Sequence, residues 1–307
     1  MRMLLVCSFK ENLAEHAAPF IVEQRNALQR GGVECETFFV KGKGIRGYLG
    51  QFRPLKDRIA AFHPDVIHAH YGLCGLLANL QRKVPVVTTY HGSDINEKRA
   101  RRFSKMAMRL SAWNVFVSQK TMDIACPGKN VTLLPCGIDL TDLQLTSKQE
   151  ARRQMHLEQE KHYILFAGAF DNAVKNAPLA FKAAELSGTE LLELKGYTRD
   201  EVTLLMCAAD ALLMTSLNEG SPQVIKEAMA CGCPIVSVDV GDVKERVDGL
   251  DGCFVTQTCD PEELAALLGK ALAFQSRTRG REKIIADGLE NGAVADKLIK
   301  VYNCIVK

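Results

Sequence analysis

Short apolar runs alternate with helix-like segments along almost the whole chain of 307 residues. Between the runs, segments such as HAAPFIVEQRNALQRGG place apolar residues three and four apart and end on glycine, as amphipathic helices do. Strand–helix alternation of this kind predicts parallel strands joined by crossover helices, and therefore an α/β protein with doubly wound sheets. The predicted strands are MLLVCSF, VECETFFV, DVIHAH, PVVTTY, WNVFVS, YILFAGAF, TELLELKGY, DALLMTS and CPIVSV.

The alternation occurs in two halves, separated by the polar tract TDLQLTSKQEARRQ. We predict an N-terminal domain over residues 1–145, a C-terminal domain over 146–288, and an amphipathic helix over 289–307 that packs back on the first domain. Residues 1–150 carry 21 lysines and arginines against 13 acidic residues, whereas the remainder carries 18 against 23. Opposite charge suggests that the halves have different partners. Two such domains are expected to face a cleft at the carboxyl ends of their strands.

Several classes of protein are disfavoured by what the sequence lacks. The eleven cysteines form no Cys-x-x-Cys pair, so we expect reduced, buried thiols rather than disulfides or a zinc site. The start, MRMLLVCSF, has too short an apolar core for a signal peptide, and no run approaches the roughly 18 apolar residues of a membrane span. Neither half begins with the Gly-x-Gly-x-x-Gly of redox Rossmann enzymes. We expect a cytoplasmic protein that binds no nucleic acid.

The stretch NEGSPQVIKEAMACG joins the strand DALLMTS to a helix. Ser221 is predicted to cap that helix and Pro222 to occupy its first position. The N–H groups of Gln223, Val224 and Ile225 would then point out of the helix start, an arrangement that binds anions.

Two carboxylates flank this helix start. Glu219 lies in the turn before the helix, and Glu227 lies on the same side of the helix as Gln223. Carboxylates accept hydrogen bonds from hydroxyls, so the pair suits a sugar and a ribose. Alternatively, Glu219 is an ordinary turn residue and Glu227 forms a surface salt bridge with Lys226 or Lys244.

The Glu-x7-Glu spacing of EGSPQVIKE, followed by AMACGCPIV and VGDVKERVDGLDGCFV, closely resembles one family. It is similar to the retaining GT-B glycosyltransferases of group 1 (GT4-like), which use nucleotide-sugar donors. The resemblance runs through most of the chain and is strongest from Asp210 to Val255. It implies a GT-B fold, with two Rossmann-like parallel-sheet domains facing a central cleft, and sugar transfer from a nucleotide-diphosphate donor to an acceptor hydroxyl. It also implies neither a metal nor a cofactor, and no Asp-x-Asp occurs that would argue for a metal.

The resemblance also implies roles for individual residues in the second half. Glu219 would hold the donor sugar, Glu227 would bind the ribose hydroxyls, and Lys175, in GAFDNAVKNAP, would neutralise the leaving diphosphate. The catalytic residues implied are Glu219, Lys175 and, from the first half, His91. The donor-binding residues implied are Glu227, Gly220, Ser221, Gln223, Val224 and Gly168.

In the first half, TTYHGSD resembles the family loop whose histidine reaches the donor sugar, which points to His91. Asp94 is a candidate acceptor carboxylate, Ser118 is a candidate for the acceptor cleft, and His70 is expected to line the cleft. His68 lies on the same strand face as His70, but no third metal ligand accompanies the two, and we expect His68 to be structural.

Two departures from the family pattern concern the phosphate site. Ala169 follows Gly168 where the family usually has arginine, and the loop SFKENLAEHAAPF lacks the usual Gly-Gly. Asn12, which we assign to the acceptor side, or backbone amides could substitute in that loop. The second half is also compact, with the single strand TELLELKGY where relatives generally have two strands and a helix.

The tract EKRARRFSKMAMRL carries six cations between Lys98 and Arg109 and no acid among them. It is either a solvated helix face or a basic amphipathic helix that contacts an anionic membrane at the inner face.

The expected function is hexosyl or other glycosyl transfer to a glycan or lipid-linked acceptor in cell-surface polysaccharide synthesis. The alternatives are a nucleotide-sugar epimerase or hydrolase of the same fold, and a non-catalytic nucleotide-sugar-binding partner.

Overall fold

The computed structural model describes residues 1–13, 15–42, 44–141 and 143–306. The chain forms two compact units: unit 1 comprises Met1–Ile138 with the C-terminal segment from Leu289, and unit 2 comprises Asp139–Gly288. The first boundary therefore lies at 138/139, where the sequence placed it at 145/146. The Ile138 N–H donates to the Leu289 carbonyl at 2.9 Å, so the chain leaves and re-enters unit 1 at neighbouring points.

Unit 1 contains one sheet of six strands, all parallel. The strands are β1 (Arg2–Ser8), β2 (Glu34–Val40), β3 (Val66–His70), β4 (Val86–Tyr90), β5 (Trp113–Phe116) and β6 (Val131–Leu133), in the spatial order β2-β1-β3-β4-β5-β6. The helices between them are α1 (Pro19–Arg30), α2 (Gly44–Leu49), α3 (Phe52–Phe62), α4 (Gly72–Asn79), α5 (Ser93–Asn96), α6 (Lys98–Leu110) and α7 (Gln119–Ala125).

The centre of this sheet is buried on both faces. Every residue of β3 and β4 is buried, as in parallel sheets that are covered on both faces. The buried residues include polar side chains, among them His68, His70 and Thr89. Buried polar groups need hydrogen-bond partners, and the partners of these three define part of the site described below.

Unit 2 contains a parallel sheet of five strands. The strands are β7 (Tyr163–Phe166), β8 (Glu190–Glu193), β9 (Ala211–Met214), β10 (Ile235–Val238) and β11 (Cys253–Thr256), in the spatial order β11-β10-β9-β7-β8. The helices are α8 (Lys148–Gln154), α9 (Ala177–Ser187), α10 (Arg199–Ala208), α11 (Gln223–Ala230), α12 (Val243–Val247), α13 (Pro261–Ala273) and α14 (Gly280–Ala286), with a 3-10 turn at Ala173–Lys175. The predicted α/β class with parallel sheets is confirmed.

The last helix, α15 (Asn291–Ile305), belongs to unit 1 and packs against α1. Leu298 and Tyr302 of α15 are fully buried in one apolar cluster with Leu28 of α1. A Cβ on Gly31, just after α1, would lie 2.9 Å from Cδ1 of Ile299, so the glycine permits this close packing. The C-terminal helix thus completes the core of the N-terminal unit.

Candidate functional site

In unit 2, Lys175 and Glu219 are brought into contact. The Lys175 Nζ donates to Glu219 Oε1 at 2.7 Å, and the two side chains are 20% and 17% exposed. A Cβ on Gly168 would lie 2.8 Å from Cγ of Lys175, so the lysine stem lies directly over this glycine. One cluster at the carboxyl edge of the sheet therefore contains Gly168, Lys175 and Glu219, which span 51 positions of the sequence.

The loops that carry this cluster are joined to each other. The Thr215 hydroxyl donates to the Lys175 carbonyl at 2.8 Å and to the Asn176 carbonyl at 3.1 Å. The Leu217 N–H donates to the Val174 carbonyl at 2.8 Å. Because these bonds connect the turn after β9 with the 3-10 turn after β7, the backbone positions of Lys175 and Glu219 are fixed relative to each other.

Gly241, which follows β10, packs against the turn that carries Glu219. It is a residue that the sequence analysis missed. Its φ is +57°, and a Cβ on it would lie only 2.6 Å from the Gly220 carbonyl oxygen and 3.1 Å from Cβ of Glu219. A side chain at this position would displace the turn. The signal available in the sequence was a glycine shortly after a strand, in VDVGDV, which often marks a close backbone approach.

Ser221 does not cap α11, so that prediction is wrong. Pro222 is the N-cap residue and no side chain caps the helix. The Ser221 hydroxyl instead donates to Asp242 Oδ2 at 2.8 Å, and Arg246 Nε lies 3.3 Å from the same oxygen. Burial raises the pKa of the Asp242 carboxyl, while Lys226 and Arg246 oppose that shift. The side chain of Ser221 is thus bound within the protein.

The first turn of α11 contains Gln223 and Val224, both partly exposed, with Glu227 one turn further on and also partly exposed. The first N–H groups of a helix have no partner within the helix, so the amides of this turn can bind an anion. Lys226, one of the two lysines considered as a surface salt-bridge partner of Glu227, is fully buried, and its Nζ donates to Gln223 Oε1 at 2.6 Å.

In unit 1, His91 lies at the end of a chain of stacked imidazole rings. His70 Nδ1 and His91 Nε2 share a hydrogen bond of 2.9 Å, and the rings of His68 and His70 stack with centroids 4.7 Å apart. His68 Nδ1 bonds the Tyr302 hydroxyl at 2.6 Å, and His68 Nε2 bonds the Thr89 hydroxyl at 2.7 Å. Burial lowers the pKa of His68 to about 3 and that of His70 well below its usual value, so both rings are neutral.

Asp94 holds the loop that carries His91. Its carboxylate accepts the N–H groups of His91 at 3.0 Å, Gly92 at 3.1 Å and Gly72 at 3.0 Å. Burial raises the pKa of this carboxyl to about 6, against the opposing effect of these bonds. Asp94 is therefore a loop anchor as well as the candidate acceptor residue predicted from the sequence.

The two other predicted acceptor-side residues are Ser118 and Asn12. Ser118 is buried, and its hydroxyl oxygen accepts the Thr121 N–H as the N-cap of α7. Asn12 is exposed in the segment that follows β1. Across the described part of the chain, no group of three or more histidine, cysteine, aspartate or glutamate side chains is arranged to hold a metal ion. Nor does any described helix have the length and apolarity needed to cross a membrane.

Two parallel-sheet α/β units within one chain are the architecture of the GT-B class of folds. A sucrose-phosphate synthase from Thermosynechococcus elongatus matches 99% of this chain with 98% of its own, at a TM-score of 0.84 and 17% identity. Anabaena Alr3699/HepE, solved in complex with UDP-glucose, matches 99% of this chain with 100% of its own, at a TM-score of 0.75 and 16% identity. The predicted GT-B fold is confirmed.

Family models identify the chain more closely. The Glycosyltransferase Family 4 model matches residues 6–142, and the Glycosyl transferases group 1 model matches residues 150–273. The chain belongs to this family of glycosyltransferases. Among curated relatives, TuaC of Bacillus subtilis (strain 168), named as a teichuronic acid biosynthesis glycosyltransferase, is 26% identical over 59% of this chain. The match spans 54% of the length of TuaC.

Proposed function

We propose that the chain is a retaining glycosyltransferase that moves a sugar from a nucleotide-diphosphate donor to a hydroxyl of a glycan or lipid-linked acceptor. The observation that carries the proposal is the contact between Lys175 and Glu219 at 2.7 Å on the carboxyl edge of unit 2. The UDP-glucose complex of HepE supports the class of donor. The likeness to TuaC supports a role in the synthesis of a cell-surface polysaccharide.

The proposed reaction needs no protein side chain as a base. The acceptor oxygen attacks the anomeric carbon on the face that the diphosphate leaves, so the new bond forms as the bond to the diphosphate oxygen breaks. A diphosphate oxygen takes the proton of the acceptor hydroxyl. Negative charge grows on the diphosphate during this step, and a cation beside it stabilises the transition state more than the ground state. Lys175 supplies that cation.

Glu219 and Lys175 have complementary tasks on the donor. The Glu219 carboxylate accepts hydrogen bonds from sugar hydroxyls, while the Lys175 ammonium, which Glu219 holds, faces the diphosphate. The amides of the first turn of α11 bind the diphosphate, and Glu227 binds the ribose. In unit 1, we assign the contact with the reacting sugar to His91, held by His70. These groups supply the required charges, so the proposal includes neither a metal nor a cofactor.

The first test compares two ion pairs of the same kind in unit 2. Lys182 and Glu185 form an exposed pair at 2.8 Å on α9, away from the strand ends. We expect Glu219→Ala to lower the rate of sugar transfer by about 100-fold or more, because a preorganised transition-state contact is lost. Glu185→Ala should leave it unchanged. Equal rates for the two variants would contradict the proposed site.

A second test separates binding from turnover. Loss of a charged hydrogen bond costs about 1.5 to 3 kcal/mol, so Glu227→Ala should weaken donor binding by about tenfold or more with little change in kcat. Calorimetry with UDP-, GDP- and ADP-sugars measures the binding and identifies the base. Product analysis then distinguishes the alternatives, since a free altered nucleotide sugar indicates an epimerase, and tight binding without turnover indicates a non-catalytic partner.

We further propose that α6 contacts an anionic membrane surface. Lys98, Arg102, Lys105 and Arg109 are exposed at helical spacing along it, and Met106 between them is 50% exposed. Each cation near such a surface contributes about 1 kcal/mol, and salt screens that attraction. The fraction of the protein that sediments with vesicles containing a tenth to a third anionic lipid should therefore fall when salt is added. It should also fall in the double variant Lys105→Gln with Arg109→Gln. Binding to vesicles of neutral lipid alone would contradict an electrostatic contact.

A further inference from the structure

Unit 1 contains a cavity of about 280 Å³ at the carboxyl edge of its sheet. Its wall is built where three strands end and by the helices that follow: Ser8 ends β1, Tyr71 follows β3, Ser93 follows β4, Tyr48 comes from α2, and Glu97 precedes α6. Cavities for drug-sized ligands measure about 300 to 1,000 Å³, so this one is of a size for a single small ring.

The cavity lies close to His91. The ring of Tyr71 lies 4.6 Å from that of His91, centroid to centroid. Tyr71 also has a φ of +71°, a backbone conformation that a bulky residue adopts rarely and that concentrates at functional sites. A ligand in contact with Tyr71 would therefore sit next to the histidine that we assign to the reacting sugar.

Hydroxyl groups dominate the polar lining. The Ser8 and Tyr48 hydroxyls share a hydrogen bond of 2.6 Å, and Ser93 is exposed. Burial raises the pKa of Tyr71, so its hydroxyl stays protonated and can donate as well as accept. Hydroxyls that can both donate and accept match the hydroxyls of a sugar, which also do both.

The charges of the lining distinguish a sugar from a phosphate. Among the described residues of the lining, Lys10 is the one cation, and Asp94 and Glu97 are carboxylates. Asp94 already accepts three backbone N–H groups, whereas Glu97 is exposed at the rim. A phosphate would meet more negative than positive charge here, which opposes its binding. An uncharged polyol can bond to both the ammonium and the carboxylate.

We propose that this cavity binds an uncharged sugar ring of the acceptor, and the proposal rests on the glycosyl transfer proposed above. Tyr48 and Tyr71 contact the apolar face of the ring, as aromatic side chains with a polar tip can. Glu97 and Lys10 bond its hydroxyls. The anionic part of a lipid-linked acceptor is bound outside the cavity, by the exposed cations of α6, which begins one residue after Glu97.

The proposal is tested by saturation-transfer NMR on the full chain with the methyl pyranosides of glucose, galactose and mannose. At least one should bind, and Glu97→Gln should weaken it about tenfold, the effect of losing one hydrogen bond to a charged group. Tyr48→Phe should weaken it less. Matched controls are Glu282→Gln and Tyr197→Phe, both at exposed positions of unit 2, which should bind within twofold of the parent chain.

Three results would overturn the proposal: no pyranoside binds, inorganic phosphate displaces the bound pyranoside, or both cavity variants bind as the parent does. Because Glu97 is exposed and caps no helix with its side chain, its variant should melt with the parent, which separates lost binding from lost folding. Calorimetry with UDP and GDP is run in parallel. Sugar binding without nucleotide binding refutes glycosyl transfer but not the cavity, and the reverse result refutes only the cavity.

Discussion

Replacing Gly241 by alanine tests how the turn that carries Glu219 is held. The added Cβ would lie 2.6 Å from the Gly220 carbonyl oxygen, on a backbone with φ of +57°. The left-handed conformation costs an alanine about 1 to 2 kcal/mol. Overlap with a buried backbone oxygen adds about 1 to 3 kcal/mol, as overpacking does. We therefore expect Gly241→Ala to lower the free energy of unfolding by about 2 to 5 kcal/mol.

Gly188→Ala is the matched control for the backbone contribution. Gly188 has φ of +65°, and nothing lies within 4 Å of the Cβ position, so only the conformational cost of about 1 to 2 kcal/mol should be seen. Urea unfolding at constant m-value measures both variants. Since the displaced turn moves Glu219, Gly241→Ala should also weaken nucleotide-sugar binding. Equal destabilisation of the two variants, with unchanged donor binding, would refute this reasoning.

Three further predictions concern unit 1. Burial raises the pKa of Asp94 from 3.8 to about 6, so between these pH values the folded chain holds a proton that the unfolded chain has lost. The stability that Asp94 contributes should therefore fall as pH rises through that window and level off above it. Urea unfolding should show this slope for the parent chain and not for Asp94→Asn. Tyr302→Phe removes the hydroxyl that bonds the buried His68 Nδ1, so the same assay should show a free energy of unfolding lower by about 1 to 3 kcal/mol. An unchanged free energy of unfolding would contradict a stabilising role for this hydrogen bond. His70→Phe keeps the ring stack but removes the hydrogen bond to His91, so we expect kcat to fall about tenfold with donor affinity retained, as steady-state kinetics and calorimetry would show.

The sheets could be predicted from the sequence because their central strands are buried on both faces. Strands such as β7 (YILF) and β9 (ALLM) then consist of uninterrupted apolar runs with polar residues or glycine beyond their ends. The strands β6 and β11 were missed because they are short and mostly half-buried, so neither a continuous run nor an alternating pattern marks them. The chain passes from unit 1 to unit 2 after Ile138, a few residues before the polar tract in which the sequence analysis placed the boundary.

The local part of the site could be predicted, and the long-range part could not. The spacing of Glu219 and Glu227 is contained in one turn and one helix, so a motif describes it. The cap by Ser221 was predicted from local preference, but Asp242, distant in sequence, binds that hydroxyl instead. The burial of Lys226 and the close approach of Gly241 likewise depend on which strands are neighbours, and a single sequence does not state that.

The contact between Lys175 and Glu219 bears on the arginine that the family usually has and that Ala169 replaces here. A lysine already held by a carboxylate has lost much of its rotamer freedom before the donor binds, so less ordering free energy opposes binding. Glu219 also competes with the diphosphate for the ammonium. When sugar hydroxyls donate to Glu219, that competition weakens, and more of the lysine's charge is available to the leaving diphosphate. We infer that recognition of the sugar and stabilisation of the leaving group are coupled through this pair. The coupling lets a single cation serve where relatives use two, because its charge is directed to the diphosphate when a sugar occupies the site.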